Sequence, residues 1–235
     1  MRALGESDLL ALWERGATRH PLDRSALLAA FARPDLAPEQ IGDRPLGEIT
    51  ATLLRLREAC FGSHIRSHVD CERCGQRLEL ALDVRELLQA VPHVEPGARM
   101  VDAAGLRARV PTLRDLAAVA KEPDAERAAR QLLQRCVTEE GAAELSDAAF
   151  REIEDALEAA DPNADFAFDI RCEACGQVGT AQLDAGELLW DEVSARARTL
   201  LGEVHLLARA YGWSESEILA LSSARRAAYL AMVAP

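Results

Sequence analysis

The stretch Cys71–Leu88, CERCGQRLELALDVRELL, returns 101 positions later as Cys172–Leu189, CEACGQVGTAQLDAGELL. Ten positions agree at that fixed offset: Cys71/Cys172, Glu72/Glu173, Cys74/Cys175, Gly75/Gly176, Gln76/Gln177, Leu82/Leu183, Asp83/Asp184, Glu86/Glu187, Leu87/Leu188 and Leu88/Leu189. That register is too long for chance. Each copy reads as an extended segment, a Cys-x-x-Cys-Gly turn, a second extended segment, and an Asp-x-x-Glu capping box that opens a helix. Asp83, Glu86, Asp184 and Glu187 are thereby explained as caps before any catalytic role is needed.

Two cysteines separated by two residues aim both sulfurs at one ion when the following glycine takes the positive backbone angle that closes the turn. One pair supplies half a tetrahedron, and the second pair is the obvious source of the other half. Cys71, Cys74, Cys172 and Cys175 are therefore expected to meet in one zinc-ribbon-like structural site. The 97 residues between the pairs exceed the usual gap of about 15 to 20. Loop closure makes this affordable: each doubling costs only about 0.6 kcal/mol, so the longer span adds roughly 1.5 kcal/mol. Structural zinc in finger peptides contributes about 10 to 16 kcal/mol. Iron in the same thiolate geometry, disulfides, a thioredoxin-type redox pair and cysteines kept as bare packing are the rivals. A cytoplasmic setting disfavours disulfides, and a redox pair needs a helix directly after its first cysteine, where a strand is read here.

Outward from the knuckles the chain is helical, so the fold class is mainly α with a small β module built from the two knuckles, an α+β chain. Residues 1–62 carry apolar residues at helical spacing, punctuated by Pro21, Pro34, Pro38 and Pro45, which gives three or four short helices. The first knuckle repeat takes 63–91, with strands at His64–Val69 and Arg77–Leu82. Residues 92–162 form an insert: a hairpin within Arg99–Thr112 turning at Gly105, then helices at Leu113–Ala120, Ala125–Val137 and Ser146–Ala160. The second repeat takes 163–190, with strands at Asp165–Ile170 and Val178–Leu183. In 191–235 the steps from Leu189 to Tyr211 predict a helix of about six turns that breaks at Gly212, and Ser214 with Glu217 caps the next, closing a helical hairpin.

The opening MRALGESDLLALWERG places Glu6 and Asp8 ahead of any apolar run, and no apolar stretch approaches the roughly 18 residues of a spanning helix. The chain reads as cytoplasmic, without secretion signal or membrane segment. Its net charge of −12 is concentrated: residues 139–192 hold sixteen carboxylates against Arg151 and Arg171 alone, leaving the remainder at +2. This disfavours phosphate-backbone binding. A solvated acidic face accounts for the excess more simply than a docking surface for a basic partner does.

No phosphate loop, nucleophile elbow or His-Glu-x-x-His helix occurs, so no catalytic residue, small-molecule substrate or cofactor-binding loop is assigned. His93-Val94-Glu95 has the His-x-Glu order of zinc deaminases but lacks their following Pro-Cys-x-x-Cys. His64 and His68 lie near the first knuckle, where a surface or core role is simpler than ligation. His205 is expected to pack beside Tyr211 or Trp213, and Cys60 and Cys136 to be buried as apolar side chains.

Three stretches together, LWERGATRHPLDR (Leu12–Arg24), REACFGSHIRSHVDCERCG (Arg57–Gly75) and WDEVSARARTLLGEVHLLARAYGWSESEILALSSARRAAYL (Trp190–Leu230), span nearly the whole chain. They resemble the T-even-type phage baseplate hub assembly family, in the branch found in prophages and contractile injection systems. The third stretch is the most specific, through Glu203, His205, Tyr211, Trp213, Ile218, Leu219, Arg225, Arg226 and Tyr229. The resemblance implies a non-enzymatic assembly chaperone or structural component whose partners are baseplate or hub proteins, with paired zinc knuckles and no active site. The alternative is a zinc-ribbon regulator binding nucleic acid or a transcription component. Against it, only Arg73, Arg77 and Arg171 flank the knuckles, beside Asp169 and Glu173.

Overall fold

Pro21, Pro38 and Pro45 sit where helices begin. Pro21 opens α2 (Pro21–Ala32) behind an N-cap at His20, Pro38 opens α3 (Pro38–Ile41), and Pro45 precedes α4 (Leu46–Phe61). At a first helical position the missing N–H has no partner to lose. With α1 (Glu6–Gly16) these form the N-terminal helical part. The computed structural model of the protein describes residues 3–90, 99–138 and 145–233.

After α4 come the hairpin β1 (His64–Asp70) and β2 (Arg77–Asp83), the short α5 (Val84–Ala90), and the hairpin β3 (Met100–Ala103) and β4 (Leu106–Arg109). Next are α6 (Leu113–Val119), α7 (Ala125–Cys136), α8 (Asp147–Ala160), the hairpin β5 (Ala167–Arg171) and β6 (Val178–Gln182), α9 (Ala185–Tyr211), α10 (Glu215–Leu219) and α11 (Ser223–Val233). The described residues are thus mostly helical with three separate two-stranded antiparallel sheets, an α+β arrangement. The β3–β4 turn falls at Ala104 and Gly105, both at positive φ.

Two apolar cores form. In the first, α1, α2 and α4 bury Leu9, Leu28, Leu54 and Leu56 against Leu189, Val193 and Leu200 of α9. The second holds Ala103 and Ala108 of the β3–β4 hairpin against Leu133 and Cys136 of α7 and Ile153 and Leu157 of α8. Asp161, 2% exposed, joins them: it accepts from the Gly47 N–H at 2.9 Å and pairs with Arg99 at 2.9 Å. Beside it the Leu46 N–H donates to the Pro111 carbonyl at 3.1 Å.

The long helix is longer than the apolar spacing alone predicts, 27 residues beginning at Ala185. Asp184 sets that start by accepting from the N–H groups of Gly186 and Glu187 at 2.8 and 2.9 Å. Asp83 does the same for α5, toward Arg85 and Glu86 at 2.8 and 3.4 Å. Among the described residues neither Glu86 nor Glu187 returns a bond to the cap, so these are aspartate caps rather than reciprocal boxes. The Ser214–Glu217 box does form, after Gly212 ends α9 in the left-handed conformation.

The closing hairpin returns in two pieces, α10 and α11. It is fastened by a ring of four charges: Glu6 pairs with Arg196 at 2.9 Å, Arg196 with Glu203 at 2.9 Å, Glu203 with Arg226 at 2.5 Å, and Arg226 with Glu6. Arg226 is 1% exposed, and this double pairing, with a 3.3 Å bond to the Leu221 carbonyl, makes its burial tolerable. No helix among the described residues is long and apolar enough to cross a membrane.

Candidate metal centre

Both knuckles are built from the same backbone bonds. The Cys71 N–H donates to the Gln76 carbonyl at 2.9 Å and the Gly75 N–H to the Cys71 carbonyl at 2.8 Å; for Cys172/Gln177 and Gly176/Cys172 both distances are 2.8 Å. Gly75 and Gly176 take φ of +70° and +73°. A Cβ at either would meet nothing within 4 Å, so the sequence needs glycine there for its backbone angle and not for space.

The ladders also repeat. Asp70 opposite Arg77 in the first hairpin becomes Arg171 opposite Val178 in the second, and every recorded pair of β5–β6 has its counterpart in β1–β2 at the offset of the sequence duplication. Equivalent positions anchor both hairpins to the first core: Ile65 and Phe166 are 1% and 7% exposed, and Val84 and Ala185, the first helical residues after each hairpin, are buried. One core therefore holds two hairpins whose cysteine turns lie together.

The four thiols converge as the spacing predicts. Cys71 Sγ lies 3.7 Å from Cys175 Sγ and Cys74 Sγ lies 3.6 Å from Cys172 Sγ, and all four sulfurs are within 4.8 Å of one another. A tetrahedral ion with bonds of about 2.3 Å to sulfur separates its ligands by about 3.8 Å. The close contacts each pair one sulfur from either knuckle, and both exceed a disulfide bond, so the cysteines are free. In each knuckle the first cysteine is the buried one, while Cys74 is exposed and Cys175 half-buried. The cluster thus has a protein side and a solvent side.

The thiol electrostatics favour a cation. The N–H groups of Cys74 and Arg73 point at the Cys71 sulfur and lower its pKa to about 7. Cys175, although the Gln177 N–H favours its thiolate, is pushed up to about 12 by lost hydration and the three neighbouring sulfurs. Cys74 is raised as well, the Gln76 N–H and the Cys175 sulfur being outweighed by lost hydration and the sulfurs of Cys172 and Cys71. Without a cation, the Cys71 sulfur disfavours ionisation of Cys74 and Cys175; a divalent ion removes that conflict. The residues present can accordingly hold one metal ion through four protein ligands.

Compared with known proteins, the chain matches no family model, no curated protein and no solved structure.

The remaining candidates stand apart from this cluster. His64 is 88% exposed and pairs with Asp83 at 2.9 Å, and His68 is exposed. His205 is also exposed; the ring that packs on Tyr211 and Trp213 is Tyr229, with centroid distances of 5.6 and 4.9 Å. Cys136 is fully buried, as an apolar side chain would be, whereas Cys60 is half-buried and its sulfur accepts from the Leu4 N–H at 3.3 Å. His93, Val94 and Glu95 lie outside the described residues. The N–H donors aimed at the sulfurs escaped the sequence reading, although the Cys-x-x-Cys-Gly turn itself dictates them.

Proposed function

We propose that Cys71, Cys74, Cys172 and Cys175 hold one structural zinc ion in a zinc-ribbon-like module. The protein is then a non-enzymatic assembly chaperone or structural component of the baseplate or hub of a contractile phage tail or phage-derived injection system. The observation that carries the metal reading is the convergence of two duplicated turns, 97 residues apart in sequence, on sulfur separations of 3.6 and 3.7 Å. When bound, zinc supplies charge neutralisation and a cross-link, not a reactive water, because four protein ligands leave no open position. Iron accepts the same four thiolates and is distinguished by its visible absorption.

The tail-assembly reading is supported by the three stretches of resemblance and by what their residues do here. Glu203 and Arg226 belong to the charge ring, Tyr211, Trp213 and Tyr229 pack together, and Ile218 is fully buried. These are roles that shape a surface rather than a reactive cleft. Purified protein is expected to contain about one zinc per chain, and Cys71→Ser or Cys172→Ser to lose it together with solubility. Affinity capture from cells carrying the tail genes is expected to recover baseplate or hub proteins. A metal-free preparation that folds normally removes the zinc reading; a zinc-loaded protein that captures no tail component removes the assembly reading.

A further inference from the structure

The acidic excess in the second half of the chain borders an apolar groove. Between α7 and α8 lies a cavity of about 470 Å³ whose lining includes Leu132, Leu133, Phe150, Leu157, Pro111 and Pro162. Leu133 and Leu157 are buried and form its floor, while Leu132 and Phe150 are half-buried. Glu154, Glu158 and Asp165 also line it and are exposed. Among the described residues Glu154 and Glu158 have no ion pair or hydrogen bond, and Asp165 accepts only a 3.4 Å bond from Gln182. Arg99 pairs with the lining residue Asp161 at 2.9 Å, and Arg130, over the Phe150 ring at 5.0 Å, is already held by Asp147 at 2.5 Å. The groove therefore combines an apolar floor with three exposed carboxylates, Glu154, Glu158 and Asp165, that have no ion pair among the described residues.

Among the described residues helices and a loop line the groove and no strand edge does, so an extended peptide would find no ladder of main-chain partners there. An occupant must satisfy its own backbone. We infer that this groove docks an amphipathic helix of a partner protein, with its apolar face on Leu132, Leu133 and Phe150 and its flanking lysines or arginines against Glu154, Glu158 and Asp165. A second copy of this chain, itself at −12, is the electrostatically poorer occupant. The groove shares no residue with the cysteine turns, so the inference stands whether or not zinc is the metal.

The test uses the full chain and a fluorescein-labelled 18-residue peptide of leucine and lysine, with leucine at helical positions i, i+3, i+4 and i+7, followed by anisotropy. A leucine–glutamate peptide of the same pattern is the control. The lysine peptide is expected to bind, to protect α7 and α8 from hydrogen exchange, and to weaken about tenfold in the Glu154→Lys/Glu158→Lys double variant. Ala129→Trp, which fills the groove, is expected to weaken it comparably. The glutamate peptide should bind only the charge-reversed protein. Both glutamates are exposed, so the double variant keeps its fold, which circular dichroism checks. Affinity unchanged in both variants, equal binding of the glutamate peptide, or a dimer in sedimentation that the double variant abolishes would each overturn the inference.

Discussion

Replacing Gly47 by alanine tests the joint between the two cores. Gly47 is the second residue of α4, and a Cβ there would lie 2.2 Å from Asp161 Oδ1, 2.8 Å from Asp161 Cγ and 3.0 Å from the Ala164 backbone nitrogen. Asp161 must then leave the position from which it holds the Gly47 N–H and Arg99, or α4 must shift. Disrupting a buried pair of this kind costs about 3–5 kcal/mol. Alanine returns at most about 1 kcal/mol over glycine in a helix, so the net loss is about 2–4 kcal/mol. In a chain of 235 residues each kcal/mol moves Tm by about 2–4 °C, which puts the fall at about 4–16 °C. Gly202→Ala, at an exposed position of α9 with nothing within 4 Å of its Cβ, is the matched control. It should gain about 0.5–1 kcal/mol and raise Tm by about 1–4 °C. Thermal melts by circular dichroism at matched metal content read both. If the two alanines move Tm in the same direction, the argument that Asp161 couples the cores is wrong.

Other outcomes follow from the same structure. In zinc-buffered solutions Tm should rise with free zinc, each tenfold step adding about 1.4 kcal/mol once the site fills, and Cys172→Ser should abolish the slope. Asp115, 2% exposed, has its carboxyl pKa held low: burial opposes this, but Arg109 at 2.5 Å and Thr112 outweigh it. Its contribution is therefore present above the ordinary aspartate pKa and lost as pH falls. Asp115→Asn should lower stability at pH 7 by about 3–5 kcal/mol and flatten the acid limb of a Tm–pH profile. Arg226→Ala leaves Glu6 and Glu203 short of a buried partner, at a cost of about 3–5 kcal/mol. It should release α11 first, seen as faster hydrogen exchange over 223–233 than over α1.

What could be read in the sequence was local. The cysteine turns, their flanking strands, the Gly105 turn and the Ser214 box each depend on neighbours within a few residues, and the structure has all of them. The two helices after the duplicated hairpins show where local reading stops short. Asp83 and Asp184 cap both in the same way, yet α5 covers seven residues and α9 twenty-seven. No proline separates Asp184 from Pro235, so α9 can fuse its capped start with the later apolar steps. The charge ring joins Glu6 to Arg226 across 220 positions, and Arg57 meets Glu192 across 135. Neither leaves a local pattern, because only the packed helices choose which charges meet. The apolar groove was invisible for the same reason, since it forms only when α7 and α8 lie side by side.

At 27 residues α9 is about 40 Å long, running from the Asp184 cap behind the second cysteine turn to Tyr211, whose ring stacks on Trp213 at 4.6 Å. The helix lies against α1, α2 and α4 along the way and so behaves as a keel. A swing of five degrees at its Asp184 end carries the aromatic end about 3.5 Å. Whatever clamps the aromatic tip therefore also sets the direction in which the chain leaves the base of the second cysteine hairpin.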